Sequence, residues 1–262
     1  MNFSLYLARN TPVHRLDGRT KVFTALGLFL LALSFSHPLY LGGVLGLVGV
    51  LFWSARLKAN FRKMWVLTTL LFCYSVALWP FFVKGETPMP WLGTLGITME
   101  GMTVGVAMGL RLLIMVWSGV WLLSTTTIEE LAGASQQMGL PGRVTFAFSL
   151  AFRWVAILLG AGVGVVQAQR SRGLDVGSGG FLARIRKYVP LVVPLIGHAL
   201  RQTNLLAMAL ETKGFHPLAE RRLSSPKTLC PRDYGVFMIV ASLVGAALWL
   251  RGKGLGVLDF HF

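Results

Sequence analysis

Two seven-residue stretches carry one order of residue types. Ala168-Gln-Arg-Ser-Arg-Gly-Leu174 and Ala209-Leu-Glu-Thr-Lys-Gly-Phe215 both run alanine, two variable residues, a small hydroxyl side chain, a cation, a glycine and a large apolar residue. The glycine, Gly173 or Gly214, can take the left-handed conformation that ends a helix. The cation before it, Arg172 or Lys213, then sits in the last turn and complements the negative end of the helix dipole by roughly 0.3–1 kcal/mol. Ser171 and Thr212 keep the tip narrow. Taken singly, cation-then-glycine is an ordinary helix ending. Two copies with the same flanks, offset by 41 residues, point instead to a narrow positive tip made twice. Its chemistry is recognition. A cation entering an acidic groove forms a charge-assisted pair that resists removal better than an exposed one.

The remaining polar residues offer little for catalysis. The ten acids are Asp17, Glu86, Glu100, Glu129, Glu130, Asp175, Glu211, Glu220, Asp233 and Asp259. None falls deep in an apolar run, and none is spaced with histidines as a metal site requires. An intramembrane enzyme or a self-sufficient ion carrier calls for such groups, so both are disfavoured. Thr127-Ile-Glu-Glu130 reads as a capping box, with Thr127 as N-cap and Glu130 at the third helical position. No G-x-x-x-x-G-K-[ST] occurs, and Gly252-Lys253-Gly254 lacks its frame, so no P-loop nucleotide site is expected. Cys73 and Cys230 make neither a disulfide framework nor a zinc spacing. No cofactor, metal ligand or catalytic residue is expected. His37 and His198 read as structural, and the ten methionines as packing. Arg111, near the middle of an apolar run, is either a functional charge or a donor to carbonyls of neighbouring helices.

The elements that must carry the tips are unusually apolar. Of 262 residues, 54% are hydrophobic and 13% charged, and 30 are glycine without a collagen-like period. That balance fits an all-α integral membrane protein with closely packed helices. Asp17 is a candidate N-cap for a helix entering the run Val22–Phe35, and Ser36-His37-Pro38 breaks it before a second run, Leu39–Ala55. Trp65–Val83 and Met99–Leu123 follow, separated by a loop with Pro88, Pro90 and Trp91. A short helix from Thr127 ends near Met138, with Gly139 and Pro141 as stop signals. Two long apolar segments, Arg143–Arg172 and Phe181–Lys213, come next, joined by a glycine-rich linker at Gly177–Gly180. A basic loop holding Arg221, Arg222, Lys227 and Arg232 precedes the last run, Tyr234–Leu250.

Charge decides how these runs are placed. The net charge is +15, and the aromatics sit within apolar runs rather than between basic residues, so nucleic acid is not the implied partner. With five spans and a cytoplasmic section between the fourth and fifth, 21 of the 25 lysines and arginines face one side. That is the asymmetry of the positive-inside rule. The chain then divides into a four-span region at 1–123, a coupling region at 124–231 with both tips, and a last span and tail at 232–262. The two long segments lie at the cytoplasmic face, too apolar to stand free in water. A passive membrane scaffold with the same basic face, contacting anionic lipid diffusely, is the rival reading.

Thr11-Pro-Val-His-Arg-Leu-Asp-Gly-Arg-Thr-Lys21, the segment Thr125–Pro141 and the two tips, in this order and spacing, resemble the transmembrane T component of energy-coupling factor transporters, the CbiQ/EcfT-like permeases. The resemblance covers most of the chain. It implies a non-catalytic subunit of a multi-pass prokaryotic cell-membrane importer, with the N-terminus and coupling helices cytoplasmic. It further implies two cytoplasmic ATPases, identical or different, and a small membrane substrate-binding S component that selects a vitamin or a transition metal such as cobalt or nickel. Ser171, Arg172 and Gly173, with Thr212, Lys213 and Gly214, fall on the family's two Ala-Arg-Gly motifs and would form the ATPase contact. Lys213 departs from the pattern: it keeps the charge but loses arginine's planar fork.

Overall fold

In a computed structural model of the chain the described residues are 11, 13–83, 98–174, 180–215, 230–254 and 256, and among them the regular structure is helical throughout. The order is α1 (Gly18–Ser34), α2 (Pro38–Ser54), α3 (Lys58–Phe82), α4 (Met99–Thr125), α5 (Ile128–Gln137), α6 (Gly142–Ser171), α7 (Phe181–Thr212) and α8 (Pro231–Gly252). They fall into two compact units, Met1–Ala134 with Ser225–Phe262, and Ser135–Ser224. The glycine-rich linker up to Gly179, the Pro88–Trp91 loop and the basic loop at Arg221–Lys227 lie outside the described residues.

In the first unit α4 is the central post, packed by α1, α2 and α3, while α8 lies along α1. Sequence explains the closeness of α3 and α4. Gly101, Gly105 and Gly109 recur every fourth residue on one face of α4, and a methyl group at each would meet Val83 O at 3.0 Å, Val76 O at 3.3 Å or the Phe72 ring at 2.7 Å. Small residues at this spacing let backbones approach where lipid supplies no hydrophobic driving force between helices. Around α4 the core gathers Leu28, Leu31, Leu41, Phe52, Ile114, Trp117 and Trp121. Phe52 stands edge-on to Trp117 at 4.9 Å between ring centres.

Arg111 resolves to the structural alternative. Its Nε donates to Ala32 O at 3.0 Å and its Nη2 to Phe35 O at 2.8 Å. These carbonyls lie at the C-terminal end of α1, where the helix leaves acceptors unpaired. His37 caps α2, its Nδ1 accepting from Leu39 N at 3.3 Å.

Four described helices are long and apolar enough to cross a membrane: the Met64–Phe82 part of α3, α4, α6 and α8. Two features bear on the five-span reading. The helices α1 and α2 are only 17 residues each. Meanwhile α6, set at the interface on charge, has the length and apolarity to span, with none of its most apolar window buried.

Candidate functional site

Both repeated stretches end helices in the same way. At the end of α6, Arg172 is the C-cap and Gly173 takes φ +87°. Gly173 N donates to Arg170 O at 3.0 Å and Leu174 N to Gln169 O at 3.0 Å. At the end of α7, Lys213 is the C-cap and Gly214 takes φ +69°. Gly214 N donates to Glu211 O and Phe215 N to Leu210 O, both at 2.9 Å. This crossed pair of bonds, six residues spanning four, is the Schellman ending, which requires a left-handed residue and therefore favours glycine. The apolar residue after each glycine, Leu174 or Phe215, closes the motif and is half-buried.

The hydroxyls explain the small residue before each cation. Ser171 Oγ donates to Gln167 O at 3.2 Å and Thr212 Oγ1 to Ala209 O at 3.0 Å. Both fold back into the last turn, so the tip stays slim and the cation is the outermost group. Arg172 and Lys213 are exposed. Their neighbours differ: exposed Arg170 adds positive charge to the first tip, whereas exposed Glu211 offsets Lys213 at the second.

The two helices pack antiparallel. Phe146 near the start of α6 meets Phe215 beyond the end of α7, ring centres 5.3 Å apart. At the other end Gln169 Nε2 donates to Pro190 O at 3.3 Å. That bond has a local cause. Pro194 lacks the N–H that would serve the carbonyl four residues earlier, so the Pro190 carbonyl is free to take a donor from α6. The tips therefore emerge at opposite ends of the pair, roughly 40 Å apart at ~1.5 Å per residue of α6. Along α6 the apolar side chains Phe148, Val155, Leu159 and Val163 remain exposed, as do Val189, Val193, Ile196 and Leu200 along α7.

A second cluster carries no repeat and went unassigned in the sequence. Asp17 caps α1, its Oδ1 accepting from Arg19 N at 2.9 Å. Asp233 at the start of α8 is 2% exposed. Its Oδ1 accepts from Asp17 N at 3.1 Å and Thr20 Oγ1 at 3.0 Å, and its Oδ2 accepts from Cys230 N at 2.8 Å. Lys21 is fully buried. Its ammonium donates to Thr125 O at 2.8 Å, His14 O at 3.2 Å and Glu130 Oε2 at 3.3 Å. Glu130 N in turn donates to Thr127 Oγ1 at 3.1 Å. The expected cap of α5 is thus made, while the Glu130 carboxylate reaches across to α1. The only sequence signals for this cluster were the cap residues and the charged end of Thr11–Lys21; the partners that join one element to another lie a hundred or more residues away.

Comparison with known proteins bears on the whole arrangement. Residues 9–224 match the CbiQ family, described as cobalt transport protein. The energy-coupling factor transporter transmembrane protein EcfT of Heliobacterium modesticaldum is 31% identical over 262 residues, covering 94% of this chain and 96% of the relative. The EcfT of Thermanaerovibrio acidaminovorans is 28% identical over 256 residues, covering 94% of each. That of Listeria innocua is 29% identical over 264 residues, covering 94% of this chain and 96% of the relative. Since the match runs from the buried N-terminal segment through both cationic tips, this multi-pass membrane chain belongs to the CbiQ/EcfT family of energy-coupling factor transporter transmembrane proteins.

Proposed function

We propose that the chain is the energy-coupling subunit of an importer, moved by two cytoplasmic ATPases and serving a separate substrate-binding membrane subunit. The observation that carries this reading is the pair of tips: two identically terminated helices, each offering an exposed cation, at opposite ends of one helix pair. Opposite placement suits one tip per ATPase, either of a homodimer or of a heterodimer. Residues Ser171, Arg172, Gly173, Thr212, Lys213 and Gly214 form the two contacts. The exposed apolar faces of α6 and α7 cannot remain in water, and lipid or the substrate-binding subunit covers them. On this reading residues 124–231 work as the coupling region at the cytoplasmic side, with the N-terminus on the same side. The cargo is a vitamin or a transition-metal ion, selected by the partner subunit.

Purification in mild detergent tests the proposal. Wild-type chain is expected to bring down two ATPase subunits and one small membrane protein. Arg172→Glu with Lys213→Glu is expected to insert normally and lose the ATPases, since a like charge in an acidic groove costs several kcal/mol. Unchanged ATPase stoichiometry in the double variant would remove the docking role. A wild-type chain that comes down alone and binds anionic vesicles equally with and without the substitutions would favour the lipid scaffold.

A further inference from the structure

From the start of α1 the described hydrogen bonds reach α5, the short helix in which the chain passes from the first compact unit to the second, at Ala134–Ser135. It is one of the two places where the chain crosses between the units, the other being Ser224–Ser225. Two features hold the first turns of α5 against α1, and a third ties α1 to the end of α4. The Lys21 ammonium, 0% exposed, meets the Glu130 carboxylate, 28% exposed, at 3.3 Å. The same ammonium reaches Thr125 O, at the end of α4. Gly18 lies so close that a methyl group there would stand 3.0 Å from Glu130 O and 3.1 Å from the Ala134 Cβ.

A buried ammonium is a costly way to join two helices, because desolvation offsets most of the attraction and apolar packing would serve stability as well. What a buried ion pair adds is registry: one geometry is satisfied and displaced ones leave a charge unpaired. Here the registry is between α5 and α1, and α1 is itself bound to α8 through Thr20 and Asp233 and to α4 through Arg111. A helix gripped in this way moves with its neighbours instead of swinging past them.

We propose that Lys21 and Glu130 are positioning residues for energy transfer: the clasp through which motion of the coupling region is delivered to α1, α4 and α8. The proposal rests on the transport reading above. Breaking the clasp leaves ATPase docking intact, because both tips lie elsewhere in the chain, but lets α5 move without carrying the membrane helices.

The test uses the full complex in proteoliposomes, measuring ATP hydrolysis together with uptake of Co²⁺, Ni²⁺ and radiolabelled B vitamins. Lys21 is in the core and its replacement risks misfolding, so two gentler variants are used. Glu130→Ala removes the carboxylate and leaves Lys21 its two carbonyls. Gly18→Ala wedges α5 from α1 without touching a charge. Both are expected to keep wild-type subunit stoichiometry and hydrolysis within about twofold, while uptake per ATP falls roughly tenfold, a usual size for coupling between sites. Glu130→Asp is expected to recover part of it. Wild-type uptake with an unchanged ratio in both variants overturns the clasp alone. Parallel loss of assembly, hydrolysis and uptake shows a merely structural contact and also overturns it. A wild-type complex that takes up none of the probes removes the transport reading, and the clasp with it.

Discussion

At the scale of single residues, the two tips share a backbone and differ in side-chain charge. Arg172 has a guanidinium with Arg170 beside it; Lys213 has a point charge with Glu211 beside it. Arginine's fork binds a carboxylate through two parallel bonds, which lysine cannot do. Docking is therefore expected to be tighter at the α6 tip. Lys213→Arg should raise the salt concentration needed to strip the ATPases from the purified complex, and Arg172→Lys should lower it. Equal salt resistance in the two variants would mean that the tips are read as bare charges. The tips were legible in sequence because a Schellman ending is local: six consecutive residues contain all its donors and acceptors. The clasp was not. Lys21 stood in plain view, but its acidic partner lies 109 residues on.

For helices, the decisive feature is the glycine seam of α4. At Gly101 an added methyl group would meet backbone, Val83 O at 3.0 Å and Pro80 Cα at 3.1 Å, which cannot step aside as a side chain can. Gly101→Ala is expected to destabilise the detergent-solubilised protein by about 1–3 kcal/mol, the usual cost of overpacking. Gly119 on the same helix has nothing within 4 Å. Gly119→Ala should be neutral or stabilise by roughly 0.5–1 kcal/mol through helix propensity. Thermal unfolding of the two variants side by side checks this, and equal midpoints would discount the seam. Its four-residue spacing was readable, since small-x-x-x-small is a known mark of close helix approach. Which helix filled the groove was not, because the α3 residues that face it, Phe72, Val76 and Pro80, carry no small-residue mark.

For the whole molecule, the placement of α6 matters most. Its composition permits a span, whereas the positive-inside rule, applied to the lysines and arginines, favours both its ends on one side. We expect Arg143→Cys and Ser171→Cys, with Cys73 and Cys230 replaced by serine, both to resist a membrane-impermeant maleimide added outside intact cells. Labelling of one and not the other would place α6 across the bilayer. Length and hydropathy alone could not separate the two arrangements. A helix lying in the interface buries one apolar face and a crossing helix buries its whole circumference, and neither length nor mean apolarity reports how the apolar residues are spread around the axis.

The sequence by itself determined what is local or compositional: an all-helical membrane chain, the breaks at His37 and Gly139, the caps at Asp17 and Thr127, and two cation-tipped helix endings. Each follows from neighbouring residues or from the cost of exposing apolar surface. Only the tertiary structure decided that the tips point opposite ways, since antiparallel packing depends on how Phe146, Gln169 and the two prolines of α7 fit together. It alone also decided that Asp17, Lys21, Glu130 and Asp233 belong to one cluster. Burying a charge is tolerable only where several acceptors or donors converge, and that convergence is made by chain segments up to 216 residues apart.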